Sequence, residues 1–356
     1  MKEVKTILFR YELNGRGIVN YDETSLQKKL INKFDYLSHL RHHANNITYA
    51  KKELLDDDYK IKISSNSLRK ALFEKYIIAH TPEVSLDDTL LFSTLATPVS
   101  LLRGYMFLSK KNENLKRKGA ISITDAIQTN TAKSKLEVFV RSGKKETKDV
   151  ELDTSDNTFF VKETVGDITY GGRGFLDLRT LQFVPCDDIF DRFQFNPDRY
   201  QMFKKFLKLN LPNFDNDLGY YMYNTSSYRL PERGLFLTNE QVLFLTKEFF
   251  KLLVSLEMRK SNGFAEISKI EYKLVTTPSI ETFNDNNGWI ELRNHNDVES
   301  IDFSMHEFYS LVDNKEALDV RENLKAIQDR KKELDIEQTK LAKEETKKKK
   351  TEKMKN

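Results

Sequence analysis

The pattern of hydrophobic and polar positions predicts alternating strands and helices from the first residues onward. Residues 4–13 are rich in β-branched and aromatic types, which predicts a strand that ends at the turn residues 14–17. Apolar residues at every third or fourth position predict a helix over residues 25–45. A short strand over 59–63 then leads through a small polar turn into a second helix over 67–80.

The middle of the chain predicts a hairpin and a glycine-rich turn. Residues 136–141 predict a strand with Leu136, Val138 and Val140 on one face and Glu137, Phe139 and Arg141 on the other. The basic tip after them leads to residues 150–152 as the expected partner strand. Strands over 159–163, 167–170 and 175–183 follow, and Gly171-Gly172-Arg173-Gly174 separates the last two. These glycines favour a turn with positive φ, or else a close approach of the backbone to phosphate assisted by Arg173.

A further helix and a further strand follow, and together the elements decide the fold class. Thr238, followed three residues later by Gln241, predicts a capping box that opens a helix through residue 257. Residues 265–276 predict a strand, and residues 86–108 are mostly helical with a break near Pro98. Since the βα spacing of a doubly wound sheet is missing, we expect an α+β fold.

From residue 313 onward the chain predicts a long charged helix. It contains neither Pro nor Gly, and Glu, Lys and Leu dominate. An apolar residue recurs every seven positions at Val320, Ile327, Leu334 and Leu341. The second seam of a coiled coil is spoiled by Lys331 and Gln338. We therefore expect a body over residues 1–312 and a helical tail over 313–356 that is dispensable for folding of the body.

Charge alone gives little support to nucleic-acid binding. The tail holds 14 Lys and Arg against 11 Asp and Glu, whereas residues 1–312 hold 44 against 43. Nucleic-acid-binding proteins usually show a clear basic excess, so any such site must come from local clustering. No uncharged stretch approaches the about 20 apolar residues of a membrane span. With a single cysteine and charges throughout the first residues, we expect a soluble cytoplasmic protein without disulfides.

No catalytic or metal-binding motif stands out. His39 and His43 lie one helical turn apart, but the intervening acidic residue of a metalloprotease motif and a third ligand are missing. Nucleophile-elbow, phosphate-loop and dinucleotide motifs are absent, and the acidic clusters lack the spacing of an ion-binding loop. We therefore expect no metal, no cofactor and no catalytic residue.

Basic residues at the ends of predicted elements are the better candidates for function. Arg69 and Lys70 lie in the first turn of the predicted helix after the strand 59–63, where free backbone N–H groups attract anions. Arg117 and Lys133 belong to further basic clusters. From charge and placement we add three residues of the first long helix: Arg41, His42 and His43.

Several segments carry a resemblance to a known family. Residues 64–72 look like the small-small-Ser-Leu-Arg segment of the repeat-associated RNA-binding superfamily of CRISPR proteins, although its usual glycine is missing. The blocks ISITDAIQTN (121–130), EVFVRSG (137–143) and KETVGDITY (162–170) follow. This succession, over about residues 5–280, resembles the repeated backbone subunit of class 1 CRISPR interference complexes, closest to variant type I-F and type IV members.

The resemblance implies a palm of modified RNA-recognition (ferredoxin-like) fold with helical fingers and a hairpin thumb, the thumb and insertions spanning about residues 110–175. It implies a non-catalytic subunit that polymerises head to tail along crRNA and leaves the bases free to pair with target nucleic acid. Its partners would be crRNA, target, further copies of itself and other subunits of the CRISPR complex. It places two groups of residues at the guide backbone: Ser67, Arg69 and Lys70 on the first palm helix, and Lys162, Tyr170 and Arg173 at the thumb and its base.

Two other function classes stay open at this point. One is an endoribonuclease of similar fold, either slicing target or processing guide, for which His80 and His295 would be candidate general bases. The other is a coiled-coil scaffold protein without nucleic acid, suggested by the tail.

Overall fold

The computed structural model describes residues 3–22, 47–55, 58–74, 88–108, 114–141, 158–186, 197–225, 230–260 and 263–323, and positions 326, 327, 330 and 334 beyond them. In chain order the strands are β1 (Thr6–Gly17), β2 (Tyr21–Asp22), β3 (Ile47–Ala50), β4 (Lys52–Leu55), β5 (Asp58–Ile63), β6 (Tyr105–Leu108), β7 (Asn114–Arg117), β8 (Ile121–Ile123), β9 (Ala126–Gln128), β10 (Ser134–Arg141), β11 (Thr158–Val165), β12 (Asp167–Asp177), β13 (Phe183–Pro185), β14 (Leu218–Tyr223), β15 (Glu232–Phe236), β16 (Glu257–Lys260), β17 (Gly263–Val275), β18 (Ile290–Leu292) and β19 (Tyr309–Val312). The helices are α1 (Ser65–Phe73), α2 (Asp88–Leu95), α3 (Pro98–Arg103), α4 (Leu178–Gln182), α5 (Pro197–Asn210), α6 (Asn239–Val254), α7 (Ile280–Asn284) and α8 (His295–Glu299).

A nine-stranded antiparallel sheet forms the centre of the molecule. Its strands follow the order β16-β17-β1-β12-β9-β5-β4, with β18 paired to β17 and β8 paired to β12. Strand β1 is paired along its length on both sides, to β12 and to β17. The mixture of this sheet with separate helices confirms the predicted α+β class.

Strand β1 divides the two faces of this sheet by simple alternation. Its odd-numbered residues from Ile7 to Leu13 are buried, and Phe9 packs against α6, with its ring 5.1 Å from that of Phe249. Helix α6 opens with the predicted capping box, since Thr238 and Gln241 exchange side-chain and backbone hydrogen bonds. Successive side chains of a strand point to opposite faces, so the polar residues Arg10 and Glu12 lie on the face away from α6.

The glycine-rich segment 171–174 is not the predicted turn. It lies inside the continuous strand β12, and none of its glycines has positive φ. Gly172 and Gly174 lie directly opposite Tyr11 and Phe9 in the register with β1. A Cβ at Gly174 would overlap the Ser122 carbonyl oxygen and the Phe9 ring. The small residues therefore serve packing, because the rings of β1 need the space beside them.

Three smaller sheets surround the central one, in the orders β10-β11-β3-β2, β13-β15-β14-β19 and β6-β7. The predicted strand 136–141 is present in β10, but its partner is β11, with Arg141 opposite Thr158. The predicted partner 150–152 and the basic tip lie outside the described residues. The prediction that residues 175–183 form one strand is wrong, because the short helix α4 separates β12 from β13.

The predicted helix over 67–80 begins earlier than expected. Helix α1 starts at Ser65, and residues 75–87 lie outside the described part, as does the predicted helix over 25–45. The strand before α1 agrees with its prediction. The predicted stop of β1 at residue 14 is wrong, because β1 continues to Gly17 in its pairing with β17.

Arg117 links several elements of the fold and is not the exposed cation expected from the sequence. Its side chain is only 5 % exposed. The guanidinium donates to the backbone carbonyls of Phe183 at 2.7 Å, Thr180 at 2.8 Å and Leu101 at 3.4 Å. These bonds join β7 to α3, to α4 and to β13. A guanidinium that is buried and occupied in this way does not fit the predicted contact with RNA.

The start of the C-terminal segment packs against the body. Residues 314–323 are helical, and Ala317 is fully buried. The Arg321 guanidinium donates to the Pro231 carbonyl at 3.1 Å and lies 5.4 Å from the centre of the Tyr220 ring. Further along, Ile327 and Leu334 are exposed. The helix is thus docked through its first turns, beyond the expected boundary at 312.

Within the described residues, no helix has both the length and the apolar character to span a bilayer.

The close packing of Gly174 beside the Phe9 ring leads to a prediction about stability. Gly174→Ala should lower the free energy of unfolding by about 2 kcal/mol or more, because the added methyl has no room between Ser122 and Phe9. Gly166→Ala is the matched control, because nothing lies within 4 Å of its Cβ position. Chemical denaturation monitored by tryptophan fluorescence measures both. Equal stability of the two variants would contradict the packing role of Gly174.

The buried Arg117 guanidinium leads to a second prediction about stability. Arg117→Met should lower the free energy of unfolding by about 3 kcal/mol, because several buried carbonyls lose their donor. Lys116→Met, on the exposed neighbour, should change it little. Thermal melts of the purified variants measure the change in stability. A variant at 117 that melts like wild type but binds RNA less well would restore the RNA-contact prediction.

Candidate functional site

The N-terminus of helix α1, expected to receive a phosphate, already holds a carboxylate of the chain. The Ser65 N–H donates to Asp125 Oδ1 at 2.7 Å, and Lys62 Nζ lies 2.8 Å from Asp125 Oδ2. Lys62 also pairs with Glu53 at 2.9 Å. Partial burial opposes ionisation of Asp125, but the hydrogen bonds from Lys62 and Ser65 outweigh it and lower the pKa of that carboxyl. The position is therefore satisfied internally.

Two of the three residues predicted on α1 are engaged in holding the fold. The Ser67 hydroxyl donates to Asn20 Oδ1 at 3.2 Å and shares a 3.0 Å hydrogen bond with the Ser64 hydroxyl. The Arg69 guanidinium donates to the carbonyls of Ile121 at 2.6 Å and Arg103 at 3.0 Å. Burial, and then the neighbouring Arg103 charge, lower its pKa. These contacts do not fit the predicted phosphate grip.

Lys70, on the same helix, is exposed to solvent. It is the member of the predicted α1 group whose cation is available to a partner.

The other predicted residues fall into three groups. Tyr170 is 1 % exposed, and burial raises the pKa of its hydroxyl, so its side chain does not present itself to a ligand. Lys133 and Arg173 are exposed. Lys162 is placed by its backbone in β11, opposite Glu137. Outside the described residues lie Arg41, His42 and His43.

A cleft of about 690 Å³ opens on the face of the central sheet away from α6. Its floor consists of β1, β12 and β17, and one side is formed by β9 with the residues before and after it. The opposite side is the segment that begins with α7 and ends at Trp289. Of the predicted residues, Arg173 lines this cleft.

Arg10 holds the centre of the cleft floor together. Its Nε donates to Glu271 Oε2 at 2.6 Å, and Lys269 Nζ lies 3.3 Å from the same oxygen. The hydrogen bond from Arg10 lowers the pKa of Glu271, and the opposing effect of burial is weaker. The Arg10 guanidinium lies 4.5 Å from the centre of the Trp289 ring, a cation–π distance.

The wall segment is fixed to the sheet beside this pair. Trp289 donates from Nε1 to the Asp285 carbonyl at 2.8 Å. Lys273 Nζ lies 2.9 Å from Asp285 Oδ2 and 5.9 Å from the Trp289 ring centre. Backbone and ring of the segment are thus both anchored to the sheet, which keeps the cleft open and shaped.

Arg173 is the exposed cation of the cleft. It lies directly opposite Arg10 in the sheet register, and its guanidinium is 5.6 Å from the centre of the Phe283 ring. The Thr124 hydroxyl donates to the Arg173 carbonyl at 2.9 Å and fixes the backbone there. Among the described residues, no carboxylate forms an ion pair with Arg173.

Sequence reasoning did not single out Arg10, Phe283 or Trp289. The alternation of β1 is a signal that puts Arg10 on a polar face. The pairing of β1 with strands more than 150 residues away is what brings these residues together, and no local pattern encodes it. Trp289, the single tryptophan, was the remaining signal.

The described part of the chain shows no group of three or more His, Cys, Asp or Glu side chains arranged to hold a metal ion.

Comparison with solved structures finds similarity to parts of CRISPR complexes. A chain of "CRISPR RNA-guided surveillance complex" is 8% identical over 77% of this chain and 71% of its own, with a TM-score of 0.38. One of "CRISPR RNA-guided surveillance complex, pre-nicking" is 8% identical over 77% and 78%, with a TM-score of 0.39. One of "Cryo-EM structure of the Type III-B Cmr-beta bound to cognate target RNA" is 12% identical over 49% and 47%, with a TM-score of 0.27.

Comparison with sequences identifies the family. No curated protein matches the chain. A family model described as "Type I-Fv CRISPR-associated protein Cas7fv-like" matches residues 3–309, most of the chain. This match confirms the resemblance to the backbone subunit of CRISPR interference complexes and to its type I-F variant. The chain belongs to the type I-Fv CRISPR-associated Cas7fv-like family.

Proposed function

We propose that the chain is a crRNA-binding backbone subunit of a CRISPR interference complex. Copies polymerise head to tail along crRNA, hold its sugar-phosphate backbone and leave its bases free to pair with target nucleic acid. Other subunits of the complex complete the assembly. The observation that carries this proposal is the family match over residues 3–309, which includes the central sheet and the cleft.

We assign the central sheet and α6 to a palm of modified RNA-recognition fold. An antiparallel sheet with a helix packed on one face and an open face on the other supports this assignment. The β10–β11 pair, inside the span of about 110–175, is the proposed thumb. The helical fingers and a long charged C-terminal helix complete the proposed architecture.

We propose that RNA passes along the rim of the cleft. The exposed cations Lys70, Lys133 and Arg173 support this path. Lys133 follows Thr129, which lines the cleft, and Lys70 lies on the helix that begins beside Asp125, another lining residue. To these we add Lys162 in β11 and, from the sequence alone, Arg41, His42 and His43. Ser67, Arg69, Arg117 and Tyr170 are assigned to the fold instead.

We propose further that the subunit does not cleave RNA. In the sequence, several loop aspartates are present but no motif selects one of them for catalysis. Incubation of the assembled complex with complementary RNA and Mg²⁺ is therefore expected to leave that RNA intact.

Assembly tests the proposed function directly. Expressed alone, the full chain should purify without nucleic acid, whereas co-expression with a CRISPR array should give a ladder of defined copy numbers with bound crRNA. A head-to-tail interface that cannot close on itself produces such a ladder. Sedimentation and the 260/280 nm absorbance ratio measure the two results. A symmetric dimer that is unchanged by the array contradicts the proposal.

The boundary between body and tail has its own test. We propose that the body includes the docked turns through residue 323 and that the rest of the tail is separate. Truncation after residue 323 should keep the melting temperature, whereas truncation after Val312 should cost about 2 kcal/mol, because the buried Ala317 and the Arg321 contacts are lost. Thermal melts compare the two truncations. Equal stability would return the boundary to 312.

A further inference from the structure

The wall segment of the cleft (residues 280–289) lies on the open face of the sheet but adds nothing to the core. None of its residues is buried, and Ile280 is 79% exposed. The backbone N–H groups of Phe283 and Asp285 donate locally, to the carbonyls of Ser279 and Glu281. A segment with few buried apolar contacts opens at a lower free energy than the rest of a fold.

Two cations of the sheet hold this segment in place. Lys273 Nζ lies 2.9 Å from Asp285 Oδ2 and donates to the carbonyls of Thr282 and Asp285 at 3.3 Å and 3.4 Å. Arg10 donates to Asn286 Oδ1 at 3.2 Å. Among the described residues, every hydrogen bond from the sheet face to the wall segment comes from one of these two side chains. The attachment is therefore ionic and polar.

The charge of the segment complements the charge of the sheet face below it. The Leu8, Arg10 and Glu12 rows of β1, β12 and β17 present four cations and two carboxylates on the open face: Arg10, Glu12, Arg173, Lys269, Glu271 and Lys273. The wall segment contains Glu281 and Asp285 and no basic residue. The segment thus carries as many negative charges as these three rows carry positive charges in excess.

The rings of the segment also contact cations of this face. The Arg10 guanidinium lies 4.5 Å from the Trp289 ring centre, and that of Arg173 lies 5.6 Å from the Phe283 ring centre. Both rings are only partly buried. Cation–π contacts stabilise little where water reaches them, so they orient the segment without locking it to the sheet.

We propose that the wall segment is an autoinhibitory strap, which occupies Arg10 and Lys273 with its own polar and acidic groups and detaches while the sheet stays folded. Detachment moves both cations from internal contacts into solvent and uncovers the positive excess of the open face. Anions in solution therefore compete with the segment for this face. The strap regulates access to the face, and it rests on the proposed function only for the identity of the anion in the cell.

The single tryptophan reports on this detachment. Trp289 donates to the Asp285 carbonyl, so its exposure to acrylamide rises when the segment leaves the sheet. In the full chain, Lys273→Met should raise the Stern–Volmer quenching constant about twofold, because the segment loses the hydrogen bonds of the ammonium. Higher ionic strength should raise the constant in wild type, since salt screens exposed ion pairs. Far-UV circular dichroism checks that the sheet stays folded.

Lys204→Met is the matched control for this substitution. The Lys204 side chain is 14% exposed, close to the 11% of Lys273, and it pairs with the exposed Asp217 elsewhere in the fold. Quenching of Trp289 in this variant should equal that in wild type.

Binding of inorganic polyphosphate tests the autoinhibition. This probe carries charge but neither base nor sugar, so it reads competition for the cations alone. Glu281→Gln combined with Asp285→Asn should lower the Kd of polyphosphate about threefold or more, because a closed state that withdraws the binding face raises the apparent Kd. Asp215→Asn combined with Asp217→Asn removes two carboxylates that pair with Lys204 and Lys208, and it should change Kd much less.

The outcomes separate the strap from the proposed function. Quenching that is the same in wild type and Lys273→Met, at low and at high salt, would show a permanent wall and overturn the strap. Equal values of Kd in the two double variants would also overturn it, because the effect would then be one of net charge. Failure to assemble with crRNA, with quenching and polyphosphate binding as expected, would overturn the proposed function and leave the strap in place.

Discussion

Strand β1 is paired on both sides and packed against α6 on one face, and this packing depends on missing side chains opposite its rings. Phe9 and Tyr11 face Gly174 and Gly172 across the sheet, where a Cβ would overlap the rings. Because the rings fit there, the odd-numbered residues can close onto α6. The same alternation turns Arg10 and its polar neighbours to the other face, where the cleft forms. Core and candidate site are thus two results of one register.

The elements with strong local signals were predictable from sequence. The capping box of α6, the strand β17 and the strand before α1 all agree with their patterns. The predicted turn at residues 171–174 was wrong, because glycine occurs both in turns and in strands with crowded neighbours. The predicted partner of β10 was wrong for a different reason. Pairing depends on the path of the chain, and the pattern of one strand does not encode that path.

The candidate site was harder to predict than the fold. Counting basic residues cannot separate a cation that binds a ligand from one that binds carbonyls of its own chain, as Arg69 and Arg117 do. A helix N-terminus predicts an anion, and here the anion is Asp125, sixty residues later in the chain. Arg173 was among the predicted residues because the family resemblance selected its segment, and the structure places it in the lining of the cleft. Its neighbour Arg10 became visible only when the register of the sheet was known.

The central place of β1 also has a consequence for the order of folding during synthesis. Its first residues leave the ribosome early, but its partner β17 ends at Val275 and the bridge from Val4 reaches Met305. An apolar strand whose partners are distant in sequence must wait for most of the chain, since such contacts form slowly. During that interval its edge is open to pairing with other nascent chains. Chaperone demand and inclusion-body formation should therefore respond to translation speed between β12 and β17 more than to any change in the tail.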